Sequence, residues 1–145
     1  MKNKKKIGVT AGAFDLCHAG HMLMFKEAKR KCDQLVVLLQ DDPSLDRPAK
    51  NRPIMSLKER TIILEAIKYI DKVVTYKSEA DLYRLLKRLK PDIRIIGADW
   101  KGKQYTGYDL PIRVYFNSRS HTYSSTELRD RIYEVEKAKR STSAS

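Results

Sequence analysis

Two histidines three residues apart, His18 and His21, carry the clearest chemical signal in this chain. They bracket Ala19 and Gly20, and they follow an apolar run (Ile7 to Ala11) and a short turn, Gly12-Ala13-Phe14-Asp15-Leu16-Cys17. What comes next reads as a helix. At a helix start, residues three apart share one face. The first backbone N–H groups there lack intrahelical acceptors, and the helix dipole presents its positive end. Imidazoles beside such donors suit a phosphate whose charge is changing. Gly20 lets a ligand approach the backbone closely. A chance pair or half a metal site is the plain alternative, but the chain has three histidines and no second cluster of ligands.

Three further segments could meet this one. The loop Arg47-Pro48-Ala49-Lys50-Asn51-Arg52-Pro53 is either a solvated loop or a cover over the ligand, with Lys50 or Arg52 neutralising charge. Just beyond it, Arg60 is a candidate for a bidentate phosphate contact or for a surface pair with Glu59 or Glu65. In Gly97-Ala98-Asp99-Trp100-Lys101-Gly102-Lys103, Gly97 permits close approach, and Asp99 accepts from a base or ribose or braces the loop. Trp100, the single tryptophan, is placed as a wall or anchor. Finally, Ser124, Ser125 and Thr126 open a helix, where capping and anion binding are compatible, and Arg119 could clamp a triphosphate. Phe14 reads as a packing residue beneath the first turn, and Asp15 as a brace on backbone amides rather than a base.

The elements that must position these groups follow from patterning. Strands are expected at Ile7–Ala11, Leu35–Leu39, Lys72–Tyr76, Ile93–Ile96 and Ile112–Phe116. A helix is expected over about Gly20 to Lys31, with Met24, Phe25 and Ala28 on one face. A polar loop spans Asp41 to Met55, and the capping box Ser56-Leu57-Lys58-Glu59 opens a helix with Ile63, Ala66, Ile67 and Ile70 inward. Leu82, Leu85, Leu86 and Leu89 face inward on the next helix, which Pro91 stops. The last helix starts at a second capping box, Ser124 to Glu127, and turns Leu128, Ile132 and Val135 inward. Strands alternating with amphipathic helices predict an α/β fold, a Rossmann-like α/β/α sandwich on a five-stranded parallel sheet. In such sheets ligands bind beyond the strands' carboxyl ends, where strand order reverses.

A chain of 145 residues is expected to form one domain with its own core. The expected division is a basic extension over 1–6, a domain over 7–136 and a disordered tail over 137–145. The formal charge is +12, of which four charges lie in 2–6 and three in 137–145. The remaining positive body favours anionic ligands. Cys17 and Cys32 lack metal-type spacing, and no run is long enough to span a membrane, so a reducing cytoplasm is the expected compartment.

Taken together, Ile7 to Ile132 resembles the cytidylyltransferase-like nucleotidyltransferase family, most closely its glycerol-3-phosphate cytidylyltransferases. The family's T-x-G-x-F-D-x-x-H-x-G-H signature is matched by Thr10-Ala11-Gly12-Ala13-Phe14-Asp15-Leu16-Cys17-His18-Ala19-Gly20-His21. Its helix arginine matches Glu59-Arg60, and its G-x-D-W-x-G-K loop matches Gly97 to Lys103. Its R-T-x-G-I-S-T-T element is met by Arg119-Ser120-His121-Thr122-Tyr123-Ser124-Ser125-Thr126. Two departures stand out: Ala13 replaces a frequent hydroxyl, and the Arg119 turn lacks its glycine.

The resemblance implies transfer of a nucleoside monophosphate from a triphosphate to a phosphate acceptor, releasing pyrophosphate. CTP and glycerol 3-phosphate are the expected pair; an adenylyltransferase acting on a sugar phosphate or flavin mononucleotide is the alternative. By the same resemblance, His18, His21, Lys50 and Arg119 serve catalysis. Thr10, Ala11, Gly12, Ala13, Phe14, Asp15, Gly20, Gly97, Asp99, Trp100, Ser124, Ser125 and Thr126 bind nucleotide, and Arg60 and Lys103 hold the acceptor. Mg²⁺ arrives on the substrate with no protein cage, and two copies form a homodimer. A non-catalytic nucleotide- or nucleic-acid-binding relative is the reading from another class, although no nucleic-acid partner is expected of the enzyme.

Overall fold

The computed structural model describes residues 4–143, so residues 1–3 of the expected basic extension and 144–145 of the expected tail lie outside the described residues. The strands are β1 (Ile7–Gly12), β2 (Gln34–Gln40), β3 (Lys72–Tyr76), β4 (Ile93–Gly97) and β5 (Arg113–Asn117). The helices are α1 (Ala19–Lys29), the single turn α2 (Pro43–Asp46), α3 (Leu57–Glu65), α4 (Glu79–Leu89) and α5 (Ser125–Ser143). All five strands are parallel, in the order β3-β2-β1-β4-β5. The chain builds outward from β1 to β3, then crosses back to the other side of β1. The strand order reverses there, and the sheet opens a crevice beyond the carboxyl ends of β1 and β4.

Helices cover both faces, as the apolar run of β2 requires. Leu35, Val37 and Leu39 pack with Phe25 and Ala28 of α1 and Leu64 of α3. Val36 and Leu38, pointing the other way, pack with Leu82, Leu85 and Leu86 of α4. The fold is the Rossmann-like α/β architecture on five parallel strands that the patterning predicts.

Three local expectations need correction. The helix after Ser56 ends at Glu65, so Ala66 is exposed and Ile67 and Ile70 pack from turns beyond it. The inward side of α3 is instead Arg60 and Leu64. The last helix runs on through 137–143, where a disordered tail is expected. Glu136 and Arg140 pair one turn apart on it, and Lys, Arg, Glu and Ala there are strong helix formers. Of its expected inward face only Leu128, in the first turn, is half-buried. Ile132 and Val135 are exposed, because the helix leaves the sheet behind after that turn.

Candidate active site

The β1–α1 turn is built to hold imidazoles. Phe14 and Leu16 adopt left-handed backbone conformations, with φ of 47° and 51°, rare for large side chains. Packing enforces the turn: the Phe14 ring is buried edge-on to His21 at 5.9 Å and against Phe25 at 5.2 Å. His18 is the N-cap of α1. Its Nδ1 accepts from Gly20 N at 3.0 Å, while His21 Nδ1 accepts from His18 N at 3.1 Å. A ring nitrogen that accepts an N–H carries no proton, so each neutral imidazole bears its proton on Nε2. Both therefore present donors, and His18 Nε2–H donates to Ser125 Oγ at 3.1 Å. The rings lie 4.0 Å apart. Burial, then its neighbour His18, pushes the His21 pKa down to about 4; burial, then His121 and Arg119, lowers that of His18.

Gly20 also makes room within the protein itself. A Cβ there would meet His18 Cε1 and His121 Cε1, each at 2.9 Å, so the missing side chain makes room for two rings.

Asp15 braces backbone amides, but in another loop. It is 9% exposed and accepts from Ile54 N at 2.8 Å and Met55 N at 2.9 Å, as well as from Arg129 of α5. Arg60 departs from its expected place as an acceptor ligand. It is 2% exposed, and its guanidinium donates to the carbonyls of Met55, Ala13, Gln40 and Asp41. Those four bonds commit the side chain to tying the β1 turn to the β2 end and the loop before α3.

A cleft of about 440 Å³ opens at the carboxyl ends of β1 and β4. Ala11, Gly12, Ala13, Lys50, Gly97 and Trp100 line it, together with Arg47, Arg94 and Tyr105, which the sequence does not single out. Trp100 forms part of the wall of this cleft. Lys103 is exposed and outside this lining. Thr10 is buried at the end of β1. Asp99 and Arg119 are paired with each other at 2.9 Å, both largely exposed. Ser124 Oγ accepts from Glu127 N at 3.1 Å and caps α5; Thr126 is exposed in its first turn. Sequence also misses Glu27, whose carboxylate takes the Tyr115 hydroxyl and the backbone N–H and hydroxyl of Ser118, the residue before Arg119. No local pattern marks Glu27 or Arg129, since their partners lie 88 or more residues away in the chain.

Imidazole donors, arginines and a lysine around a helix start are the chemistry of phosphate oxygens. Among the described residues no group of three or more His, Cys, Asp or Glu could hold a metal ion. No described helix is long and apolar enough to cross a membrane.

Comparison with known proteins agrees with this geometry. The cytidylyltransferase-like family model matches residues 9–131. The bifunctional protein HldE of Gluconacetobacter diazotrophicus is 37% identical over 106 residues, which is 72% of this chain and 22% of that protein. The chain thus spans under a quarter of that relative. The FAD synthase of Thermococcus sibiricus is 40% identical over 100 residues, 68% of each chain. A lipopolysaccharide core biosynthesis protein from Thermoplasma volcanium shares the fold, with a TM-score of 0.68 at 24% identity, over 81% of this chain and 100% of that one. The chain belongs to the cytidylyltransferase-like family.

Proposed function

We propose that the protein transfers AMP from ATP to a small phosphorylated acceptor, a sugar phosphate or flavin mononucleotide, and releases pyrophosphate. The FAD synthase relative carries this reading over CTP, because joining an adenylyl group to a flavin phosphate is what making FAD requires. The CTP and glycerol 3-phosphate reading keeps one observation in its favour, the Gly97-Ala98-Asp99-Trp100-Lys101-Gly102-Lys103 loop.

The acceptor's phosphate oxygen attacks the α-phosphorus in line, and the bond to the bridging oxygen breaks as pyrophosphate leaves with the electron pair. Such a reaction asks the protein for positioning and charge stabilisation. His18 and His21, fixed as Nε2–H donors, hold phosphate oxygens at the start of α1. With Arg60 committed to backbone carbonyls and Lys103 outside the lining, the cleft bordered by Gly12, Ala13 and Lys50, which the resemblance gives to the nucleotide, takes the acceptor instead, with Lys50 countering its charge. Arg119 swings from Asp99 to the triphosphate; the exposure of this pair makes that exchange inexpensive. A Mg²⁺ carried in on the triphosphate would be held by substrate and water, since the site offers cationic and imidazole donors in place of carboxylates, and it would supply charge neutralisation beside His18, His21 and Arg119. Two copies forming a homodimer belong to the same reading, and exposed Ile132, Tyr133 and Val135 on α5 offer apolar surface for it.

The test is pyrophosphate release with ATP and CTP, each crossed with sugar 1-phosphates, flavin mononucleotide and glycerol 3-phosphate. ATP turnover with one acceptor, abolished in His18→Ala, is the expected result. Turnover confined to CTP and glycerol 3-phosphate would overturn the choice of ATP.

A further inference from the structure

His121 makes the third member of a set that the family signature describes as two. It stands in the turn after Arg119, at the position that the family element leaves open. Its Nδ1 accepts from Tyr123 N at 3.1 Å, so its neutral ring too carries the proton on Nε2. The ring lies over Tyr123 at 5.4 Å, which restricts its orientation. Its Cε1 and that of His18 both crowd the space where Gly20 lacks a Cβ, and it is close enough to His18 to lower that ring's pKa. All three imidazoles therefore have Nδ1 tied to a backbone N–H and present Nε2–H as the donor around the first turn of α1, that of His18 resting on Ser125 Oγ.

His121 also lines a second cleft of about 360 Å³, shared with the cations Lys26, Arg30 and Lys31 and with one carboxylate, Glu27, so the ring sits in net positive surroundings. Gly12 and Ala13 line the first cleft, whereas His18, His21, Gly20 and His121 do not. The attacking acceptor and the leaving group occupy opposite sides of the α-phosphorus. An acceptor in the first cleft leaves the helix-start side for the leaving group.

We propose that His121 is a third phosphate-binding imidazole, whose Nε2–H donates to the pyrophosphate half of the triphosphate and to pyrophosphate as it leaves. The proposal rests on the nucleotidyltransferase reading of this site, whichever base is used. No proton transfer is involved: the new bond forms from acceptor oxygen to α-phosphorus, the bond to the bridging oxygen breaks, and His121 stabilises the charge that accumulates on pyrophosphate. A hydrogen bond to a charged oxygen is worth about tenfold in affinity or more.

The test uses His121→Asn beside His121→Ala. Asparagine can still accept the Tyr123 N–H as an Asx turn, but it does not extend to the position of Nε2. Binding of inorganic pyrophosphate with magnesium is measured by calorimetry, which requires neither acceptor nor base to be known, and thermal melts check folding. Both variants are expected to bind pyrophosphate about tenfold more weakly than the parent, with His121→Asn melting like the parent. Wild-type affinity in His121→Asn would reduce the ring to a turn cap and overturn the proposal. Failure of every nucleotide and acceptor pair to turn over, with pyrophosphate binding still dependent on His121, would instead count against the transfer reaction alone.

Discussion

Asp15 of the first turn and Arg129 of the last helix form an ion pair at 3.0 Å, 114 residues apart in the chain. The same carboxylate holds the amides of Ile54 and Met55. Three pieces of the site, the His18 turn, the loop ending at Met55 and the start of α5, thus meet on one side chain.

Replacing Asp15 should therefore act on all three. Asp15→Ala strands two amides and a half-buried guanidinium, at an expected cost of about 3 kcal/mol. Asp15→Asn keeps one acceptor oxygen and should cost about half as much, while Arg129→Ala, which leaves the amides bonded, should cost least. Denaturant unfolding of the three variants checks this order. A cost for Arg129→Ala equal to that of Asp15→Ala would show that the ion pair, and not the amide contacts, dominates.

The Arg60 side chain acts as a positioning residue through its four carbonyl partners. Lysine offers one nitrogen in place of the guanidinium's planar fork and cannot reach carbonyls on three segments together. Arg60→Lys is expected to lose about 2–3 kcal/mol, which for a chain of this size lowers Tm by roughly 5–10 °C. In the folded variant, kcat should fall more than the KM of either substrate rises. A large rise in the acceptor's KM with unchanged kcat and Tm would restore Arg60 as an acceptor ligand.

How far sequence alone reached depends on whether a residue's partners are local. Ser56 and Glu59 cap each other within three residues, and spacing shows that box; it also sets His18 and His21 on one face of a helix start, where they cap each other as well. The alternating faces of β2 also follow from its composition. Arg60 was recognised as special, yet its partners are backbone carbonyls of β1, β2 and the loop before α3, and no side-chain pattern announces a carbonyl. Glu27 and Arg129 work over 88 to 114 residues and left no signal at all. Ile132 and Val135 carry the right period but stay exposed in the single chain, because periodicity reports a face and not what it faces.

Cys17, beside His18, should be an unreactive thiol. Burial, reinforced by the negative charge of Asp15, pushes its pKa up to about 11, and its Sγ lies 3.6 Å from the Phe14 carbonyl. The thiolate is the nucleophile, so raising the pKa removes reactivity at neutral pH. At pH 8 the native protein should react with a disulfide reagent at Cys17 at least tenfold more slowly than the unfolded chain, and bound nucleotide should change little. Native labelling as fast as in denaturant would contradict the burial of this turn.

His21 makes the fold sensitive to acid in a defined window. Its pKa falls from 6.5 to about 4 on folding, chiefly through burial. Between those values the unfolded chain binds the proton and the folded protein does not, so stability rises with pH across the window and declines as acid is added. The loss begins below about pH 6.5 and is complete near pH 4, amounting to roughly 3 kcal/mol at most. His21→Gln keeps an acceptor-capable side chain without a titrating ring, so its unfolding free energy should be flatter between pH 6.5 and 4 than the parent's. Denaturant midpoints measured at half-unit intervals make the comparison. Parallel curves for parent and variant would mean that the His21 imidazole is protonated in the folded protein as readily as in the unfolded chain.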